Sequence, residues 1–182
     1  SRLRPTTEGP AVRDLAAIVL EASASVPGPQ ELADAHSMTV FEGRTGGVTP
    51  RWIAAEVDGA GVDHALRALR DAVPAEAVRV ALTARGLETQ ARDDWSAERV
   101  SHVMPVAVSA PGSGIDDVDR WYREEHTEML LRCPDWLRVR RYAIESIKGA
   151  TWSRLALHEL ASPAVLESAE VRAAMGTPWR RR

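Results

Sequence analysis

The chain has 182 residues, a formal net charge of −3 and an ordinary apolar content. That length buries a real core and suits one domain or two small fused ones, while the charge gives no long-range attraction for nucleic acid or an anionic membrane. Cys133, the single cysteine, excludes an internal disulfide and a multi-cysteine metal site, and no apolar run is long enough to span a bilayer.

Residues 1–10 are polar, with Pro5, Gly9 and Pro10, and read as a loose lead-in. They carry no secretory pattern, so a cytoplasmic location is expected. Leu15 to Leu20 is a continuous apolar run, the pattern of a buried strand. Pro27-Gly28-Pro29 interrupts it, and residues 30–38 can form a short helix. Thr39 to Gly43 and Arg51 to Val57 read as strands around a turn at Gly46-Gly47. Val62, Ala65, Leu66 and Leu69 have helical spacing over 62–72. Val78 to Thr83 suits a fourth strand, which Ala84-Arg85-Gly86 should end.

The polar stretch from Glu88 to Glu98 reads as a linker between two halves, 1–90 and 99–182. In the second half, Ser101 to Ser109 is a strand, and Pro105 inside it argues for an edge position or a bulge. Asp116 or Asp117 can cap a helix running to about Arg132, which Pro134 ends. Trp136 to Ile144 and Arg154 to Leu160 are strands around a turn at Lys148-Gly149. Ser162 and Pro163 open a last helix to about Met175.

The element order therefore repeats. Gly47-Val-Thr49 aligns with Gly149-Ala-Thr151, Ile18 with Val106 and His36 with His126, with one insertion after the histidine. This predicts an α+β protein of two tandem ferredoxin-like β-α-β-β-α units. Helices cover one face of each antiparallel sheet, so the other faces must meet in a barrel, within one chain or between two. Little chain follows the last helix, so the second sheet lacks a full fourth strand. Its open edge predicts a homodimer.

Tyr122 and His126 lie four apart on one helix face. An imidazole moves protons near neutral pH, and a phenol beside it can hold a substrate oxygen. The alternative is that the pair packs and bridges within the core. Strand alternation puts Trp136, Arg138, Arg140 and Tyr142 on one face. Such an arginine is either a clamp for a carboxylate or phenolate, or a solvated surface group. His158 is either a second cavity group or a buried structural histidine. No phosphate loop, dinucleotide fingerprint, metal helix or nucleophile elbow occurs. His36, His126 and His158 have no metal-ligand spacing, so neither a metal nor a cofactor is expected.

Asp119-Arg-Trp-Tyr-Arg-Glu-Glu-His126, Cys133-Pro-Asp-Trp-Leu-Arg-Val-Arg-Arg-Tyr142, Leu155-Ala-Leu-His-Glu159 and Ala174-Met-Gly-Thr-Pro-Trp-Arg180 resemble the EthD-type branch of the dimeric α/β-barrel superfamily. The resemblance covers residues 101–182; in the first half His36 stands alone, with no Trp-Tyr before it. It implies a cofactor-independent enzyme moving protons on an aromatic or polyketide-like small molecule, as a lyase, isomerase or cyclase. His126, Tyr122 and His158 would be catalytic, and Trp121, Arg140, Tyr142 and Trp136 would bind substrate. The other function class is a non-catalytic ligand-binding or assembly barrel, filled by its own side chains.

Overall fold

The computed structural model describes residues 12–21, 38–42, 51–110, 112 and 114–177. Its elements are β1 (Asp14–Leu20), β2 (Met38–Glu42), β3 (Arg51–Val57), α1 (Val62–Asp71), β4 (Val78–Ala91), β5 (His102–Val108), α2 (Gly114–Trp121), α3 (Thr127–Leu131), β6 (Trp136–Lys148), β7 (Arg154–Leu160) and α4 (Ala169–Met175). The expected helix over 30–38 and His36 lie outside the described residues, except for Met38, which opens β2.

All seven strands join one antiparallel sheet in the order β2-β3-β1-β4-β6-β7-β5. Strand β1 is central and covered on both sides, which is why its sequence is apolar without alternation. Leu15, Ala17 and Val19 enter one cluster, and Ala16, Ile18 and Leu20 enter another beneath α1. Strand β5 lies at the sheet edge, where Pro105 removes no N–H from an interior ladder.

The expected linker is corrected. Strand β4 does not stop at Gly86 but runs to Ala91, pairing with β6 from Ala81↔Lys148 to Ala91↔Arg138. Glu88, Thr89, Gln90 and Ala91 find ladder partners there, so a polar stretch becomes the seam between the halves. Gly86 permits the chain to cross closely. A Cβ at this position would sit 2.5 Å from the Arg13 carbonyl oxygen, and its N–H donates to Asp14 Oδ1 at 3.0 Å.

The sheet curls. On β3 and β6, three strand spacings apart, a flat sheet would separate side chains by about 14 Å. Yet Tyr142 on β6 bonds Glu56 on β3, and Trp52 stacks on Trp152, beyond the end of β6, with centroids 5.7 Å apart. The concave face is lined by Leu15, Leu82, Leu155 and Leu157 around that stack. The convex face is covered by α1 in the first half and by α2, α3 and α4 in the second. The last helix is also shorter than expected. Ser162 caps a 3-10 turn over Pro163–Glu167, and Ser168 caps α4 separately. No helix among the described residues is long and apolar enough to cross a membrane.

Candidate functional site

The site is set by a slip in β6. The pairing with β7 runs Trp136↔Leu160 and then Arg138↔Glu159, leaving Leu137 as an extra residue. Simple alternation from Trp136 therefore fails. Trp136 packs under the helices with Val139, whereas Tyr142 faces the concave side. The expected common face of Trp136, Arg138, Arg140 and Tyr142 is corrected accordingly: Trp136 points the opposite way and lines no cleft with the other three.

At one end of the concave face, Arg138, Arg140 and Tyr142 line a cleft of about 450 Å³ with Glu56, Glu88, Thr89 and Trp95. Tyr142 donates its hydroxyl to Glu56 Oε1. Arg140 Nη1 reaches Glu56 Oε2, and its Nη2 lies 2.8 Å from Glu159 Oε1. Arg138 forks onto Glu159 with bonds of 2.8 and 2.6 Å. Trp95 Nε1 donates to Glu159 Oε2 at 2.8 Å, and the Arg138 guanidinium lies 4.0 Å from the Trp95 ring centroid. Arg138 and Arg140 are therefore not solvated surface groups; the chain's own carboxylates, Glu56 and Glu159, engage them. Arg140 Nε is buried and has no hydrogen-bond partner.

Burial raises the Tyr142 hydroxyl far above its ordinary range, and Glu56 adds to the shift against the pull of Arg140. The phenol therefore stays protonated and donating. Burial opposes the charge of Arg140, yet Tyr142, Glu56 and Glu159 together hold its pKa above the ordinary value. The group is a permanent cation.

The remaining expected site residues lie on the opposite face. A π turn over Tyr122–His126 joins α2 to α3, and its wider i→i+5 spacing stacks His126 on Trp121 with centroids 4.1 Å apart. Tyr122 meets His126 edge-on at 5.0 Å and lies 6.3 Å from His158. Trp136 Nε1 donates to His158 Nδ1 at 3.2 Å. Burial, then His126 and Arg141, push the His158 pKa down to about 3, so its ring is neutral. Arg141 lies 4.5 Å over the Tyr122 ring and bonds Glu88 and Asp119, which also pairs with Arg154. His126 is buried inside the second half. Neither the cleft at Arg140 nor two others among the described residues, at Gly149 and at Asp117, touch Trp121, Tyr122, His126, Trp136 or His158. The structure thus splits the seven expected residues, with Arg140 and Tyr142 at the cleft and five beneath the helices.

The chain shares a fold with a solved anthrone oxidase-like protein. That likeness has a TM-score of 0.56 at 12% sequence identity, and covers 91% of this chain and 84% of the other. At this identity the match speaks for the fold alone. No protein-family model and no curated protein matches the chain.

Sequence reasoning missed Glu56, Glu159 and Trp95. The two acids did carry a signal, because each is a lone carboxylate inside an otherwise buried strand, RWIAAEV or RLALHEL. A charge there needs a partner or a ligand. Trp95 sits in the segment taken for a linker and gave no such sign. Among the described residues, no group of three or more His, Cys, Asp or Glu side chains is placed to hold a metal.

Proposed function

We propose that the chain is a small-molecule barrel enzyme of the EthD type, built from two tandem ferredoxin-like units. It moves a proton on an oxygenated aromatic or polyketide-like compound without a cofactor. The observation that carries this is the convergence of Tyr142 and Arg140 on Glu56 in a cleft of about 450 Å³, a volume within the range of ligand pockets. Glu56 is the proton acceptor, a carboxylate fixed from two sides. Tyr142, held as a phenol, steadies that carboxylate. Arg140 Nε holds a substrate oxygen and stabilises negative charge as it develops there. Substrate C–H or O–H gives its proton to Glu56, and the electron pair moves onto the oxygen held by Arg140.

Tandem ferredoxin-like units are supported by the pairing order within each half, β2-β3-β1-β4 and β6-β7-β5, which matches with the fourth strand omitted from the second. Strand β5 is an edge strand, and we take it as the contact of a homodimer. Sedimentation showing only monomer at high concentration would refute that. The neighbour's description as anthrone oxidase-like agrees with a fused-ring substrate. Trp121, Tyr122, His126, Trp136 and His158 serve to lock α2 and α3 onto the sheet.

A simple ketone, 1-hydroxy-2-acetonaphthone, tests the chemistry. In D2O, the protein should accelerate exchange of its acetyl protons, followed by proton NMR, and Glu56→Gln should abolish the acceleration. Binding without exchange would favour a non-catalytic barrel, a reading supported by the Trp52–Trp152 stack that fills the apolar end. Neither binding nor exchange would reject the site.

A further inference from the structure

Among the described residues, four guanidiniums line the concave cleft: Arg13, Arg138, Arg140 and Arg141. Each already meets a carboxylate. Arg13 lies 3.9 Å from Asp58, Arg138 2.6 Å from Glu159, and Arg141 2.8 Å from Glu88. Arg140 is shared between Glu56 and Glu159. Glu159 differs from the others in answering two arginines at once. Its side chain is 4% exposed, and its remaining oxygen capacity is engaged by Trp95 Nε1.

We propose that Glu159 sets the charge specificity of the cleft, excluding carboxylate ligands and admitting neutral ones. The inference rests on the reading of the cleft as a ligand site. Glu159 stands on β7, one strand away from Arg138 and Arg140 on β6, so it acts through them and need not touch the ligand. With Glu159 in place, no guanidinium among the described residues of the cleft is left uncompensated. A ligand carboxylate would enter as an additional anion beside Glu56 and Glu159, with its hydration shell removed and no spare cation to replace it. A neutral ligand avoids this. Its carbonyl oxygen can accept from the unpartnered Arg140 Nε, and a hydroxyl can donate to the Glu56 carboxylate, whose oxygens have lone pairs beyond those used by Tyr142 and Arg140.

Two probes of the same size separate charge from shape. 1-Hydroxy-2-acetonaphthone carries a ketone where 1-hydroxy-2-naphthoate carries a carboxylate, on the same rings and beside the same hydroxyl. By titration calorimetry, the wild-type protein should bind the ketone about tenfold or more tighter than the carboxylate. Glu159→Gln keeps an acceptor for Trp95 and nearly the same shape, but releases Arg138. It should hold the ketone within about threefold and gain about tenfold for the carboxylate, with a salt dependence that the ketone lacks. A purely structural glutamate would weaken both probes together. Equal or tighter carboxylate binding by the wild type, or a folded Glu159→Gln with no carboxylate gain, overturns the inference and leaves the cleft reading intact. Binding of neither probe to the wild type overturns the cleft reading and the inference with it. If Glu159→Gln does not fold, the wild-type ratio decides alone.

Discussion

Replacing His158 by Asn should change how stability depends on pH rather than only its level. The ring is fully buried between β7 and the helices, where burial and the neighbouring His126 and Arg141 push its pKa down to about 3. In the unfolded chain the same imidazole titrates near about 6.5. As pH falls through that value, the unfolded state takes up a proton that the folded state refuses. Stability contributed by the neutral ring is thus present above about pH 6.5 and is lost progressively toward pH 3, by about 1.4 kcal/mol per unit. Between pH 7 and pH 5 the loss amounts to about 2 kcal/mol. Asn can place its carbonyl oxygen near the Nδ1 position and keep the bond from Trp136 Nε1, without a titrating ring. Urea unfolding at the two pH values, followed by tryptophan fluorescence, measures the difference. Wild type should lose about 2 kcal/mol more than His158→Asn over that interval. The same loss in both proteins would refute the assignment of a neutral, proton-refusing His158.

Three further outcomes follow from packing and charge. Gly149 has φ +93°, and a Cβ there would sit 2.0 Å from the Arg79 carbonyl oxygen; Gly149→Ala should cost about 2 kcal/mol in chemical denaturation. Trp52→Ala removes one ring of the stack that joins the halves across the curl, and should cost about 3–5 kcal/mol with selective loss of the near-ultraviolet dichroism of the pair. Burial opposes ionisation of Asp119, but Arg154 and Arg141 outweigh it and hold its carboxyl below the ordinary value; Asp119→Asn strips those ion pairs and should destabilise by about 3 kcal/mol at neutral pH, with a smaller effect once the wild-type carboxyl is protonated in acid.

Element positions were legible wherever burial imposed a period. The apolar run in β1 and the helical spacing in α1 both fall where the sequence put them, because each reports a face that must leave water. Pro105 pointed to an edge or a bulge, and β5 is an edge strand. Side-chain direction on β6 was not legible. One extra residue at Leu137 inverts the parity of the strand, and nothing in Trp-Leu-Arg-Val-Arg-Arg-Tyr announces it. The reach of β4 was hidden for a different reason. Beyond Gly86, Glu88, Thr89 and Gln90 are half-buried and polar, so only pairing with β6 makes this stretch a strand. The same two effects bear on the cleft: Arg140 and Tyr142, singled out in the sequence, line it, but their partner Glu56 comes from a strand three places away in the sheet. Conversely, Tyr122 and His126 share a face and are buried, but a helix on the convex face buries that pair toward the sheet, not toward the concave cleft.

On the proposed function, the concave cleft, not the histidine cluster beneath the helices, receives the ligand. A crystal structure of the protein soaked with 1-hydroxy-2-acetonaphthone tests it most directly. The ketone oxygen should lie within hydrogen-bond distance of Arg140 Nε and the hydroxyl against Glu56, with Tyr122, His126 and His158 unmoved. Density for the probe between His126 and His158, with the cleft empty, would contradict it.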